Sequence, residues 1–226
     1  MDDTRKARAA EEAVREVASG QILGLGSGST AAIAVTRIGE RLQRGELRDI
    51  IGVPTSEATR AIAERYGIPV APIDAYDAID LAIDGADEVG PGLDLIKGLG
   101  GALLREKAVE RKAKRFVVIV DDSKLVARLG TKAPVPIEVA PASWRDLIEP
   151  LRALGGEPSL REGPSGPRTT DQGNYLIDCW FRGGIADARA LAARFEAMPL
   201  VLEHGLFLGM ANVAIVADAL GIRRIV

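Results

Sequence analysis

Short apolar segments alternate with amphipathic helical segments over the first half of this 226-residue chain. The apolar segments, such as residues 79–83 and 116–120, lack the polar–apolar alternation of a strand with one face in water. Strands that are apolar on both faces and separated by helices are typical of a parallel sheet covered by helices on each side. The pattern therefore predicts an α/β fold built on a Rossmann-like parallel sheet.

The pattern of elements changes after Gly130. Residues 132–139 carry two prolines and resemble an edge strand. Beyond them the predicted order is strand, helix, strand, strand, helix, strand, which is the order of a ferredoxin-like α+β unit. The final apolar segments are too short for a domain of their own. We therefore predict a Rossmann-like catalytic domain formed by residues 1–130 and 207–226, with a ferredoxin-like domain inserted at residues 131–206.

Composition and charge exclude several classes of protein. Lys and Arg total 29 against 32 Asp and Glu, so the chain lacks the basic excess of a nucleic-acid-binding protein. No apolar stretch approaches the ~18 residues of a membrane span, and the charged start lacks a signal-peptide core. We expect a soluble, cytoplasmic protein with no nucleic-acid or membrane partner.

The chain has one cysteine and one histidine, which limits its chemistry. An internal disulfide and a zinc site built from several Cys or His residues are both excluded. Cys179 is expected to be a buried thiol, and His204 a structural residue of a strand. Any catalysis must then depend on Asp, Glu and Lys side chains.

A glycine- and serine-rich loop, GLGSGST at residues 24–30, joins a predicted strand to a helix. Glycines let the backbone approach a ligand, and N–H groups at a helix start attract an anion, so the loop indicates phosphate binding. Ser29 stands where a dinucleotide-binding loop requires its third glycine, and no acidic residue closes the strand at residues 50–53. A nicotinamide cofactor is therefore disfavoured. An ordinary tight turn capped by Ser29 would have the same sequence.

Two aspartates, Asp84 and Asp87, follow the apolar strand at residues 79–83. Ligands of parallel sheets bind at the carboxyl ends of the strands. Two neighbouring carboxylates can differ in pKa, so that one accepts a proton while the other orients a hydroxyl. The alternative is an Asp-Gly turn with solvated acids.

Three further charged residues follow predicted strands or open a helix. Lys97 precedes a glycine-rich loop and could neutralise an oxyanion, while Glu106 lies in the first turns of the next helix and could project toward that loop. Alternatively, Glu106 complements the helix dipole or pairs with an exposed neighbour. Lys124 follows the strand at residues 116–120 and adds a cation to the same sheet edge, or is a solvated lysine in a turn.

Together these loops offer a phosphate-binding loop, two aspartates, two lysines and a glutamate, a set suited to moving a proton next to a carbonyl. The motifs GSGST, DGADEV, KGLGGALLREK and DDSK, in this order and spacing, closely resemble type A ribose-5-phosphate isomerases over essentially the whole chain. The resemblance implies reversible interconversion of D-ribose 5-phosphate and D-ribulose 5-phosphate in the non-oxidative pentose phosphate pathway. It also implies a homodimer or homotetramer that uses neither metal nor cofactor.

The resemblance further implies residue roles. Glu106 matches the base that moves a proton between C2 and C1 through an enediolate, and Lys97 matches the lysine that stabilises the oxyanion. Asp84 and Asp87 match the aspartates that handle sugar hydroxyls and ring opening. The implied substrate-binding residues are Ser27, Gly28, Ser29, Thr30, Asp84, Gly85, Ala86, Asp87, Lys97, Gly98, Leu99, Gly100 and Lys124. Leu99 replaces the middle glycine of the common KGGG loop, so only a backbone contact is expected there.

Two alternatives remain open on this kind of fold. A coenzyme A transferase-like enzyme would use a glutamate as a covalent nucleophile, and an acyl-glutamyl adduct could be trapped. A phosphosugar-binding sensor would bind its ligand without turnover.

Overall fold

A computed structural model describes residues 3–164 and 166–226. Its helices are α1 (Asp3–Val14), α2 (Gly28–Gln43), α3 (Glu57–Arg65), α4 (Leu103–Arg111), α5 (Trp144–Ala153) and α6 (Ala188–Glu196). Its strands are β1 (Ile22–Leu25), β2 (Ile51–Pro54), β3 (Leu81–Asp84), β4 (Glu88–Val89), β5 (Leu95–Ile96), β6 (Phe116–Asp121), β7 (Val135–Val139), β8 (Glu157–Leu160), β9 (Glu162–Gly163), β10 (Gly166–Pro167), β11 (Tyr175–Trp180), β12 (Val201–His204), β13 (Leu206–Phe207), β14 (Val213–Ala217) and β15 (Ile222–Ile225). Short 3-10 helices lie at Ile73–Ala75, Pro91–Leu93 and Asp122–Lys124.

The chain divides into two compact units. The first unit comprises the described residues up to Ala86, together with Arg105–Lys124 and Met210–Val226. The second unit comprises Asp87–Leu104 and Leu125–Gly209. Within the described ranges, no helix is both long and apolar enough to cross a membrane.

A six-stranded sheet forms the centre of the first unit, in the order β15-β14-β6-β3-β1-β2. Every neighbouring pair is parallel except β14 with β15. Leu23 and Leu25 of β1 pack into a cluster with residues of α1 and α2. Gly24, between them, faces the other side, where a Cβ would lie 2.8 Å from Val109 of α4. Helices thus cover both faces of the sheet, which confirms the predicted Rossmann-like fold.

An antiparallel sheet in the order β12-β7-β11-β8 forms the second unit with α5 and α6. Its core contains Ile137, Ile177 and Phe195. This strand order is that of a ferredoxin-like unit, as predicted. The last predicted strand is divided at Gly205 into β12 and β13, and β13 joins the two-residue strands β5 and β4 in a small sheet that the sequence pattern did not indicate.

The expectation that residues 132–139 form an edge strand is wrong, because β7 has β11 on one side and β12 on the other. β12 ends at His204, opposite Ile137, so Pro136 lies one residue beyond the paired segment and its missing N–H breaks no bond of that ladder. The Pro136 carbonyl accepts a hydrogen bond from the Gly205 N–H at 2.7 Å. Gly205 has no side chain, which leaves room for the proline ring.

Candidate active site

The loop after β1 is held against Asp84, the last residue of β3. Asp84 is 1% exposed, and its Oδ1 accepts hydrogen bonds from the N–H groups of Ser27 at 3.0 Å and Gly85 at 2.6 Å. A Cβ on Gly26 would lie 2.2 Å from Asp84 Cγ, so this close approach requires glycine. The burial of Asp84 argues against the alternative of an acid solvated in a turn.

Helix α2 begins at Gly28 with Ser27 at its N-cap position, and the Ser27 side chain makes no capping hydrogen bond. Its hydroxyl instead contacts the hydroxyls of Thr55, Ser56 and Thr59, at 2.7, 2.8 and 3.3 Å. The first turn of α2 carries no acidic residue. A helix N-terminus with neither a side-chain cap nor a negative charge suits an anion. Ser29 lies inside the helix and is therefore not its cap.

Glu106 lies in the first turn of α4 and is 5% exposed. The neighbouring Arg105 side chain pairs with Glu57 of α3 at 2.5 Å. The burial of Glu106 argues against the alternative of an exposed surface ion pair, while its position in the first turn is compatible with the alternative of a helix-dipole role.

Two lysines of the first unit lie close to the carboxyl edge of its sheet. Lys124 is half-buried in the 3-10 helix that follows β6. Asp122 in the same turn pairs with Arg5 of α1 at 2.9 Å, and the residue after Arg5, Lys6, is buried.

Lys6 is a charged residue that the sequence analysis missed. It precedes Ala9, Ala10 and Ala13 by three, four and seven residues, so it belongs to the buried face of α1. A lysine at an apolar position of a helical pattern is the signal that could have identified it.

Lys97 directly follows β5 in the second unit and is 2% exposed. Its Nζ lies 5.4 Å from the centre of the Phe207 ring, within the range of a cation–π interaction. Its N–H donates to the Gly205 carbonyl at 2.9 Å, and a Cβ on Gly205 would lie 2.4 Å from the Lys97 carbonyl oxygen. The backbone of Lys97 is therefore fixed by close contact with the β12–β13 connection.

Asp87 is joined to the glycine-rich loop of the same unit. Its Oδ2 accepts a hydrogen bond from the Leu99 N–H at 2.9 Å, and its own N–H donates to the Ile96 carbonyl at 2.8 Å. The next residue, Glu88, is fully buried, and its carboxylate accepts hydrogen bonds from the N–H groups of residues 130, 132 and 133. These bonds fix the backbone on both sides of Asp87.

The conformation of the glycine-rich loop accounts for Leu99. Gly98 has a φ of +106°, and a Cβ there would lie 2.8 Å from Leu103, so this position requires glycine. Leu99 has no positive φ and the residue is 36% exposed. Leucine therefore fits without strain where the common motif has a glycine.

Each unit gathers part of the predicted set. The first unit holds Ser27, Gly28, Ser29, Thr30, Asp84, Gly85, Ala86, Glu106 and Lys124. The second unit holds Asp87, Lys97, Gly98, Leu99 and Gly100. Among the described residues, no group of three or more His, Cys, Asp or Glu side chains is arranged as metal ligands would be.

Comparisons with known proteins agree with one another. A family model described as ribose 5-phosphate isomerase A (phosphoriboisomerase A) matches residues 51–221. The ribose-5-phosphate isomerase A of Roseiflexus castenholzii is 51% identical over 224 residues, which cover 98% of this chain and 95% of that protein. A solved D-ribose-5-phosphate isomerase in complex with phospho-erythronic acid has a TM-score of 0.95 at 43% identity, covering 98% of this chain and 97% of the other. The ribose 5-phosphate isomerase A of Methanocaldococcus jannaschii has a TM-score of 0.94 at 40% identity, with coverage of 100% and 99%.

Proposed function

Since the chain belongs to the ribose 5-phosphate isomerase A family, we propose that it interconverts D-ribose 5-phosphate and D-ribulose 5-phosphate with Glu106 as the base. It is an aldose–ketose isomerase of the non-oxidative pentose phosphate pathway. The transferase and sensor alternatives are not favoured, because relatives about half identical over nearly the whole chain are named as isomerases. The observation that carries the residue assignment is the burial of Glu106 at the start of α4.

The proposed chemistry is a proton transfer between neighbouring carbons. The Glu106 carboxylate removes the proton from C2 of the open-chain aldose, and the C2 electron pair forms a C1–C2 double bond while O1 becomes anionic. Return of that proton to C1, with transfer of the O2 proton to O1, gives the ketose. No atom is gained or lost, so the step needs no redox partner.

Lys97, Asp84 and Asp87 have proposed roles around this transfer. The buried Lys97 ammonium group would stabilise the anionic oxygen, because a positive charge acts strongly where water is excluded. Asp84 and Asp87 would accept and return hydroxyl protons and open the sugar ring. Support for their fixed geometry comes from the hydrogen bonds that the N–H groups of Ser27 and Leu99 donate to these carboxylates.

We place the substrate phosphate at the start of α2, on the N–H groups of residues 28–30. The absence of a side-chain cap and of an acid in the first turn of this helix supports that placement. Lys124 and the buried Lys6 are the proposed cations for the phosphate charge. Phospho-erythronic acid, which a related structure holds, is a suitable probe of this subsite.

The test is to mix the protein with ribose 5-phosphate and excess chelator in deuterated water, and to follow ribulose 5-phosphate and exchange at C2 by proton NMR. Turnover with exchange at C2 is expected. Ligand binding without turnover would indicate a sensor, and a trapped acyl-glutamyl adduct would indicate a transferase.

Glu106→Gln tests the assignment of the base. The variant is expected to lose about 10²–10⁴-fold in kcat, since the amide cannot accept the proton, while still binding inorganic phosphate. Glu64→Gln replaces an exposed glutamate of α3 and is the matched control, with unchanged kcat expected. Undiminished turnover in Glu106→Gln would remove this residue as the base.

We also propose a homodimer or homotetramer and a cytoplasmic location. The support for both is the family resemblance. Light scattering of the purified protein measures the molar mass, and a monomer would contradict the first proposal.

A further inference from the structure

One arginine outside the proposed substrate-binding set joins the second unit's sheet to its glycine-rich loop. Arg161 follows β8, and its side chain is 10% exposed. Its Nε donates to Asp178 Oδ2 at 2.8 Å, and its Nη2 donates to Asp178 Oδ1. Its Nη1 donates to the carbonyl oxygens of Gly98 at 3.1 Å and Leu99 at 3.0 Å. A single guanidinium thus binds β11 on one side and the loop on the other.

Three successive carbonyls of this loop accept hydrogen bonds from arginines, because Arg168 Nη2 donates to the Gly100 carbonyl at 3.0 Å. In a trans peptide the N–H points away from the C=O. The N–H groups of Leu99 and Gly100, whose peptides carry the two carbonyls bound by Arg161, are therefore directed away from that guanidinium. The Leu99 N–H meets the Asp87 carboxylate.

A continuous chain of hydrogen bonds follows from these contacts. It runs from the Arg161 guanidinium through the Gly98–Leu99 peptide to Asp87 Oδ2. A cation at the carbonyl end of a peptide draws electron density toward it and makes the N–H a stronger donor. The charge of Arg161 thereby reaches a proposed catalytic carboxylate that it does not touch.

We propose that Arg161, held by Asp178, is a positioning residue of the isomerase. It fixes which way the peptides of residues 98–100 face, so that Leu99 orients Asp87 and the Gly100 N–H is presented as a donor to the substrate. This inference rests on the proposed function, which places the sugar at this loop. Arg161 does not contact the reacting atoms and acts only through the loop.

The geometry requires a guanidinium specifically. The three guanidinium nitrogens of Arg161 donate four hydrogen bonds, two to a carboxylate and two to neighbouring carbonyls. A lysine ammonium is a compact charge at the end of a flexible chain and cannot reproduce that fork. Arg161→Lys therefore keeps the charge and removes the positioning, whereas Asp178→Asn keeps Arg161 and weakens its anchor.

Hydrogen exchange measures the loop without any substrate. The Leu99 amide is expected to exchange about tenfold faster or more in Arg161→Lys and in Asp178→Asn, because loosening of the loop exposes it. Arg182→Lys is the matched control, since Arg182 pairs with Glu157 on an exposed part of the same unit. Unchanged protection of the Leu99 amide in both variants overturns the proposal. If Arg161→Lys does not fold, Asp178→Asn alone decides it.

Kinetics separates positioning from a purely structural role. In both variants kcat is expected to fall about 10- to 100-fold, with a smaller change in KM, because misplaced groups cost most in the transition state. Values of kcat and KM within about twofold of the parent protein overturn the proposal. Failure of the proposed function would look different. The parent protein would not turn over ribose 5-phosphate, while the Leu99 amide would still exchange faster in the two variants than in the parent protein.

Discussion

A buried glutamate of β7, outside the proposed substrate-binding set, is the centre of a small polar cluster in the second unit. Glu138 is fully buried and accepts hydrogen bonds from Thr170 Oγ1 at 3.0 Å and Asn174 Nδ2 at 2.9 Å. Burial raises the pKa of Glu138, the charge of Glu203 raises it further, and these hydrogen bonds oppose the rise.

We expect Glu138→Gln to reduce the dependence of stability on pH. Because the folded-state pKa of Glu138 lies above its unfolded value, this residue's contribution to stability is fully present below the unfolded pKa and is lost as pH rises through the folded pKa. Glutamine cannot lose a proton, so the variant should lack this loss. Urea unfolding from about pH 4 to about pH 8 should show the stability difference between parent and variant changing by on the order of 1 kcal/mol. Parallel curves would contradict the expectation, and the exposed Glu162→Gln is the control.

Single residues were predictable where the local pattern carried the information. The motifs placed Asp84, Lys97 and Glu106 after strands or at a helix start, and these three side chains are buried. Arg161 lies more than sixty residues from Gly98 along the chain, and no periodicity relates the two. Its contact with the loop is a product of tertiary structure and could be found only in three dimensions.

At the scale of elements, the start of α2 determines how the protein should respond to anions. Since the proposed phosphate site exists only in the folded chain, bound phosphate adds RT ln(1 + [L]/Kd) to the free energy of unfolding, about 2.7 kcal/mol at a concentration one hundred times Kd. Inorganic phosphate should therefore raise Tm more than chloride does at equal ionic strength.

Ser29→Asp is the informative variant for this helix. A carboxylate in the first turn interacts favourably with the helix dipole, by about 0.3–1 kcal/mol, but repels a second anion. Without phosphate the variant should be at least as stable as the parent protein, and it should lose the phosphate-dependent rise in Tm. An equal rise in both proteins would place the anion elsewhere.

Long elements were predicted well and very short ones were not. The sequence predicted strands at residues 50–53, 79–83 and 116–120, and β2, β3 and β6 lie within two residues of those bounds. The two-residue strands β4, β5 and β13 are too short to have a period, and β13 pairs with β5 across more than one hundred residues of sequence. The incorrect prediction that β7 lies at a sheet edge has a simple cause. A proline removes only its own N–H as a donor, and that donor is not required at Pro136 because the partner strand β12 ends opposite Ile137.

At the scale of the whole molecule, the single thiol reports on the second unit. Cys179 is fully buried in the core of that unit, and burial, with smaller effects from Asp178 and Glu157, raises its pKa to about 12. Because the thiolate is the reactive form, native protein at neutral pH should not react with a disulfide reagent. Labelling should follow unfolding of the second unit in urea and reach one thiol per chain. Rapid labelling of the native protein would contradict this account.

The fold class was predicted correctly because the change from all-apolar strands to a proline-rich segment marks two kinds of sheet in one chain. The boundaries proposed from sequence for the two domains stay a prediction. In the structure, residues 87–104 belong to the second compact unit and residues 105–124 to the first. No change of composition at these points of the sequence would have indicated that division.

The bond between Arg161 and Asp178 also constrains how this sequence can diverge. A lineage that replaced Asp178 alone would leave a nearly buried guanidinium without its counter-ion, a loss of about 3–5 kcal/mol. We therefore expect Arg161 and Asp178 to be replaced together or not at all. The side chain at position 99 can vary, because only the backbone N–H of Leu99 contacts Asp87. In such a site, the residues that evolution preserves can lie at a distance from the residues that touch the substrate.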